Sequence, residues 1–97
     1  MLHIVNKSPF TNNTLDECLR FASEDSVILL IEDGVFAVKS GTAHEAKMAE
    51  TLKKNEVYAI GADISARGLG SVIEGVKVID YGGFVDLVEK HKVHSWF

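Results

Sequence analysis

Four short apolar runs recur along the chain: Leu2-His3-Ile4-Val5, Val27 to Ile31, Val57 to Ile60 and Val76 to Ile79. Their β-branched content and their lengths of four or five residues favour strands over helices. The second run is apolar at every position, as expected of a central strand covered on both faces, and such coverage is the mark of a parallel sheet. The segments between the runs read as helices. Thr14-Leu15-Asp16-Glu17 has the form of a capping box. Leu15, Cys18, Leu19 and Ala22 then repeat at helical spacing with Phe21 beside them, while Asp16, Glu17, Arg20 and Ser23 share the opposite side. Thr42 to Lys54 reads as a peripheral helix with a small core face of Met48, Ala49 and Leu52. After the last run, Phe84, Val85, Leu87, Val88 and His91 form the apolar face of a final helix.

This alternation predicts a three-layer α/β/α fold with a small, mainly parallel four-stranded sheet and right-handed crossovers, the first two strands being neighbours near its middle. Ninety-seven residues without a repeat, linker or low-complexity stretch make one domain, residues 1–97. Apolar residues and glycine together make up about 53% of the chain, slightly above the 45–50% of ordinary soluble domains. A surplus of that kind in a small chain points to surface covered by a partner. A net charge of −4 with no Lys/Arg cluster argues against direct nucleic-acid binding. The longest apolar run is far too short to span a bilayer, and no basic stretch precedes an apolar leader. A cytoplasmic protein without membrane contact is expected. A single cysteine excludes an intrachain disulfide, and no Cys/His spacing suggests a metal site.

In open parallel sheets, ligands sit beyond the carboxyl ends of the strands. Those ends here carry Lys7-Ser8-Pro9, Glu32-Asp33-Gly34, Gly61-Ala62-Asp63 leading to Arg67-Gly68, and Asp80-Tyr81-Gly82-Gly83. Strand-to-helix turns need such residues in any protein, so the gathering has a structural explanation beside a functional one. Neither a dinucleotide-binding nor a P-loop glycine pattern is present, and no cofactor is implied. Lys7, Asp33 and Arg67 together could serve a stand-alone small-ligand-binding domain. Arg67 alone could bind an anion or clamp a carboxylate of a neighbouring subunit. Cys18 is the only candidate nucleophile, since a thiolate can accept and pass on persulfide sulfur; its place in the apolar arc of the first helix favours an inert core thiol. His3, His91 and His94 read as core or interface histidines and His44 as solvated. The segment Val93-His94-Ser95-Trp96-Phe97 is too apolar for a frayed end, and either packs on its own core or enters a partner.

Taken in order, Leu2-His3 with Asn6-Lys7-Ser8-Pro9-Phe10, Glu32-Asp33-Gly34-Val35, Val57-Tyr58-Ala59 followed by Asp63 and Ala66-Arg67-Gly68-Leu69, and Ile79-Asp80-Tyr81 with Phe84-Val85-Asp86-Leu87 resemble the DsrH/TusB family over essentially the whole chain, with Trp96 matching as well. The resemblance implies a small subunit of a DsrEFH or TusBCD complex, a dimer of heterotrimers with DsrE/TusD-like and DsrF/TusC-like chains. Such complexes pass persulfide sulfur from a TusA-type carrier to a DsrC- or TusE-type acceptor, in sulfur oxidation or in 2-thiolation of the tRNA wobble uridine. The family's principal sulfur-carrying cysteine lies in the DsrE/TusD subunit, which would leave this chain an accessory, mainly architectural role. Cys18 matches a first-helix cysteine of DsrH proteins, in a similar Cys-Leu-Arg-Phe-Ala context, that some TusB members lack. Arg67, His94, Trp96 and Phe97 are the expected interface residues.

Overall fold

A computed structural model describes all residues, 1–97. Five strands, β1 (Leu2–Val5), β2 (Val27–Leu30), β3 (Glu56–Ile60), β4 (Lys77–Ile79) and β5 (Val93–Trp96), form one all-parallel sheet in the order β4-β3-β2-β1-β5. The first four coincide with the apolar runs to within a residue, and β2 lies at the centre with β1 beside it. Helices α1 (Thr14–Phe21), α2 (Glu45–Leu52), α3 (Gly61–Ala66) and α4 (Tyr81–Lys90) fill the connections, and a 3₁₀ helix (Glu32–Val38) precedes α2.

The three layers follow from connection direction. The links from β1 to β2, β3 and β4 all step the same way across the sheet, so right-handed crossovers put α1, α2 and α3 on one face. The step from β4 to β5 runs back across the sheet and puts α4 on the other. Side-chain packing agrees. Val5, Ile28, Leu30, Val57 and Ala59 meet Leu15 and Cys18 of α1, Val35 and Val38 of the 3₁₀ helix, Met48 of α2 and Ile64 of α3. The alternate residues Leu2, Ile4, Val27, Leu29 and Ile60 meet only Leu87 of α4, with Phe84 beside it. The chain between α3 and β4 folds back so that Leu69 and Ile73 complete the larger core, with Ile73 N–H donating to Val38 O at 2.9 Å.

Several sequence expectations shift in detail. The sheet has five strands rather than four, because Val93–Trp96 is drawn onto the edge of β1 in register, Leu2 opposite Val93 and Val5 opposite Trp96. The terminal segment thus packs on its own chain, leaving Phe97 68% exposed. The capping box does not form: Asn13 is the cap of α1 and makes no side-chain bond, while Thr14 is already helical. On α2, which starts at Glu45 and not Thr42, the buried residues are Met48 and Thr51, and Ala49 faces out. Only Leu87 of the expected α4 face is buried. Val85 and Val88 are exposed and fall with Tyr81 at i, i+4 and i+7, a second, outward apolar stripe.

Candidate functional site

The carboxyl edge of the sheet gathers polar residues from three connections. As the chain leaves β2 it turns sharply at Glu32, the only non-glycine residue with positive φ, at 49°. Backbone strain of this kind survives where the surroundings hold it. Here the Glu32 N–H donates to Asp63 Oδ2 at 2.8 Å, from the first turn of α3, and Asn6 Nδ2 reaches Glu32 Oε1 at 3.4 Å from the end of β1. Arg67, just past α3, donates from Nε to Asp33 Oδ1 at 2.8 Å and lies 3.7 Å from Asp63 Oδ1. The guanidinium therefore has two carboxylates of its own chain as partners. A shallow cavity of about 420 Å³ opens beside this network, lined by Ile31, Glu32, Ile60, Asp63, Arg67, Tyr81 and Phe84.

Of the three residues proposed for ligand binding, the structure joins Asp33 to Arg67. Lys7 is exposed and forms no ion pair with either. Asp63 was not singled out for the role it has, which is to hold the turn at Glu32 and stand against Arg67. Its position two residues into the helix after β3 is the only sequence signal. Replacing Asp63 with Ala orphans the Glu32 N–H and removes one carboxylate from Arg67. The expected loss is about 1–3 kcal/mol, read as a lower urea midpoint at unchanged slope.

A second cluster lies at the other end of the sheet order. His94 and Trp96 alternate onto one side of β5 and stack in parallel, ring centroids 4.5 Å apart. Phe21 at the end of α1 stands edge-on to both, at 5.4 and 5.7 Å. Beneath them His3, 1% exposed, accepts a hydrogen bond at Nδ1 from Trp96 Nε1 at 3.1 Å. Burial, then the nearby His94, hold the His3 pKa below its ordinary value. The sequence signal for this contact was the one polar residue in an otherwise apolar first strand, since a buried polar group needs a partner.

Cys18 lies in neither cluster. It is fully buried in the larger core, and desolvation pushes its thiol up to about 12. The only thiol is thus not presented to solvent, and no group of three His, Cys, Asp or Glu side chains is placed to hold a metal ion. No helix is long and apolar enough to cross a membrane.

Comparison with known proteins places this architecture. The chain is similar to the ychN protein of Escherichia coli, whose crystal structure superposes with a TM-score of 0.80 at 21% identity over 97% of both chains, a likeness of fold. In sequence it is 37% identical to the protein TusB of Serratia proteamaculans over 99% of this chain and all of that protein. The TusB of Escherichia coli K12 is likewise 37% identical, over 94% of each. Residues 7–94 match the family described as DsrH like protein. That match takes in Glu32, Asp33, Asp63 and Arg67 of the carboxyl edge and Phe21 and His94 of the aromatic cluster, and with 37% identity sustained from end to end the chain belongs to the DsrH/TusB family.

Proposed function

We propose that this chain is the TusB-type subunit of a cytoplasmic sulfur-relay complex, serving 2-thiolation of the tRNA wobble uridine, and that its role there is architectural. The observation that carries this reading is the 37% identity to TusB proteins over the full length, because shared fold alone does not convey function. Its partners are DsrE/TusD-like and DsrF/TusC-like chains in a dimer of heterotrimers, which takes sulfur from a TusA-type carrier and yields it to a TusE- or DsrC-type acceptor. Two features of the chain support this. The only thiol is sealed in the core, so sulfur must be carried by other subunits. Tyr81, Val85 and Val88 on α4 and Phe97 beyond β5 are 62%, 54%, 38% and 68% exposed, apolar area of the sort that assembly covers. In this reading His94 and Trp96 act by positioning β5, and Arg67 by holding the carboxyl edge that a neighbour meets. The DsrH-type alternative, sulfur oxidation, would use the same architecture.

Co-expression with DsrE/TusD- and DsrF/TusC-like chains tests the proposal. All three are expected to elute together as one species by size exclusion. A Val85→Asp, Val88→Asp double substitution is expected to release this chain while leaving it folded. A complex of the other two chains that forms at full yield without it, this chain remaining a free monomer, would overturn the assignment.

A further inference from the structure

The hydrogen bond between Trp96 and His3 fixes a protonation state. An indole Nε1–H only donates, so His3 Nδ1 must accept and cannot carry a proton while the bond exists. Around the imidazole nothing is placed to compensate a positive charge. From β2, Ile28 pairs opposite it. From α1 comes the Phe21 ring at 5.9 Å, while Glu17 and Arg20 of that helix are exposed and Asp16 is paired with Lys47. From β5 comes His94, with ring centroids 5.6 Å apart. The remaining charge close enough to act on His3 is the amino group at the start of the chain. The charges that act on His3, from His94 and the amino terminus, both oppose its protonation.

Strand β5 is an edge strand of the sheet. It pairs with β1 alone. Leu2 N–H donates to Lys92 O at 2.7 Å, so in the parallel ladder the even-numbered residues of β5 bond to β1, and the backbone groups of Val93 and Ser95 point outward without a partner strand. Its hold on the sheet therefore rests on that single ladder and on the rings of His94 and Trp96. We propose that protonation of His3 unlatches this strand: β5 is clamped to the sheet by the neutral His3–Trp96 bond and released in mild acid, uncovering the edge of β1.

The direction follows from linkage. Burial, His94 and the amino terminus all lower the His3 pKa from about 6.5 in the clamped state, so that state binds fewer protons than the released one. The clamp is then at full strength above about 6.5 and is lost as the pH falls below it, through the lowered value.

Trp96 is the only tryptophan, which makes its emission a direct reporter. For the full chain titrated from about pH 8 to about pH 5, a shielded, short-wavelength emission is expected to shift to the red. Acrylamide quenching should become several-fold stronger while far-ultraviolet circular dichroism keeps most of its signal. Wavelength and accessibility are read, since a protonated imidazole stacked on the indole dims it without movement. In His3→Gln the amide oxygen can take the indole N–H without titrating, and the transition should vanish. In His94→Gln it should remain with its midpoint moved up, one repelling neighbour and one stacking ring being gone. An unchanged transition in His3→Gln, a Trp96 that stays shielded in acid, or an emission shift that coincides with global unfolding would overturn the latch. Should His3→Gln fail to fold, the imidazole Cε1 resonance of His3 in the unaltered chain decides: its midpoint must equal that of the Trp96 shift, and a separate midpoint refutes the proposal.

Discussion

Gly34→Ala is expected to destabilise the chain severely, by about 4 kcal/mol or more. Gly34 sits in the first turn of the 3₁₀ helix that carries the chain away from β2, with its N–H donating to Ile31 O at 2.8 Å. This turn passes directly against the end of β1. A Cβ added at Gly34 would lie 2.3 Å from Val5 O and 3.1 Å from Val5 C, both backbone atoms. Val5 cannot retreat. It is paired with Leu30 on one side and Trp96 on the other, its carbonyl accepts from Ile31 N–H at 3.1 Å, and its side chain is fully buried. The relief has to come from the 3₁₀ helix, whose Val35, Ala37 and Val38 are core residues. A displaced backbone and a displaced core together cost about 4 kcal/mol or more, a large part of the 5–15 kcal/mol that holds a domain of this size. Gly68→Ala provides the contrast. Its φ of 60° strains an alanine, but nothing lies within 4 Å of the added Cβ, so about 1 kcal/mol is expected. Urea denaturation of both variants checks the pair, and a Gly34→Ala midpoint close to that of Gly68→Ala would show that the β1 contact does not constrain the turn.

Why the turn at Gly34 was legible as a motif and not as a contact shows what local pattern can convey. Strands β1 to β3 are readable because each buries side chains by its own composition, β4 only by its short β-branched run, and β2, apolar throughout, points to a sheet covered on both faces. Strand β5 was not. Val93-His94-Ser95-Trp96 has little apolar alternation of its own and becomes a strand because β1 offers it an unpaired edge and His3 offers Trp96 an acceptor. The same limit applies at the carboxyl edge. Gathering Asp33, Asp63 and Arg67 there needs only the rule for parallel sheets, whereas pairing Arg67 within the chain depends on α3 being short enough to bring residue 67 back over residue 33. Val85 and Val88 of α4, expected in the core from their spacing, face outward for a related reason. Helical spacing shows which residues share a face, and with apolar side chains on more than half the circumference it does not say which part of that face is covered.

Cys18 is expected to behave as a core methyl-like group in every assay that asks for a thiolate. At pH 8 a thiol held at about 12 is ionised roughly a thousandfold less than one at its ordinary value of 9.0. Since the thiolate is the attacking species, labelling by an aromatic disulfide reagent should be slower by at least about that factor in the folded chain than in denaturant. Complete exclusion from solvent should slow it further, until reaction follows unfolding and not the native state. Exposure of the folded chain to a persulfide donor should accordingly leave its mass unchanged, without the gain of about 32 Da that one carried sulfur brings. Substitution separates the structural role from a chemical one. Cys18→Ser buries a hydroxyl among Leu15, Ile28 and their apolar neighbours, with only the backbone carbonyl one turn back to receive it, and is expected to cost about 1–3 kcal/mol. Cys18→Ala loses only packing around one sulfur and should cost less. If the role is architectural, sulfur transfer by the assembled complex survives in both variants in proportion to the folded chain present. Rapid native-state labelling, or transfer lost in a well-folded Cys18→Ala complex, would mean that α1 swings open to present Cys18 when partners bind. The likeness to DsrH cysteines would then reflect chemistry instead of packing.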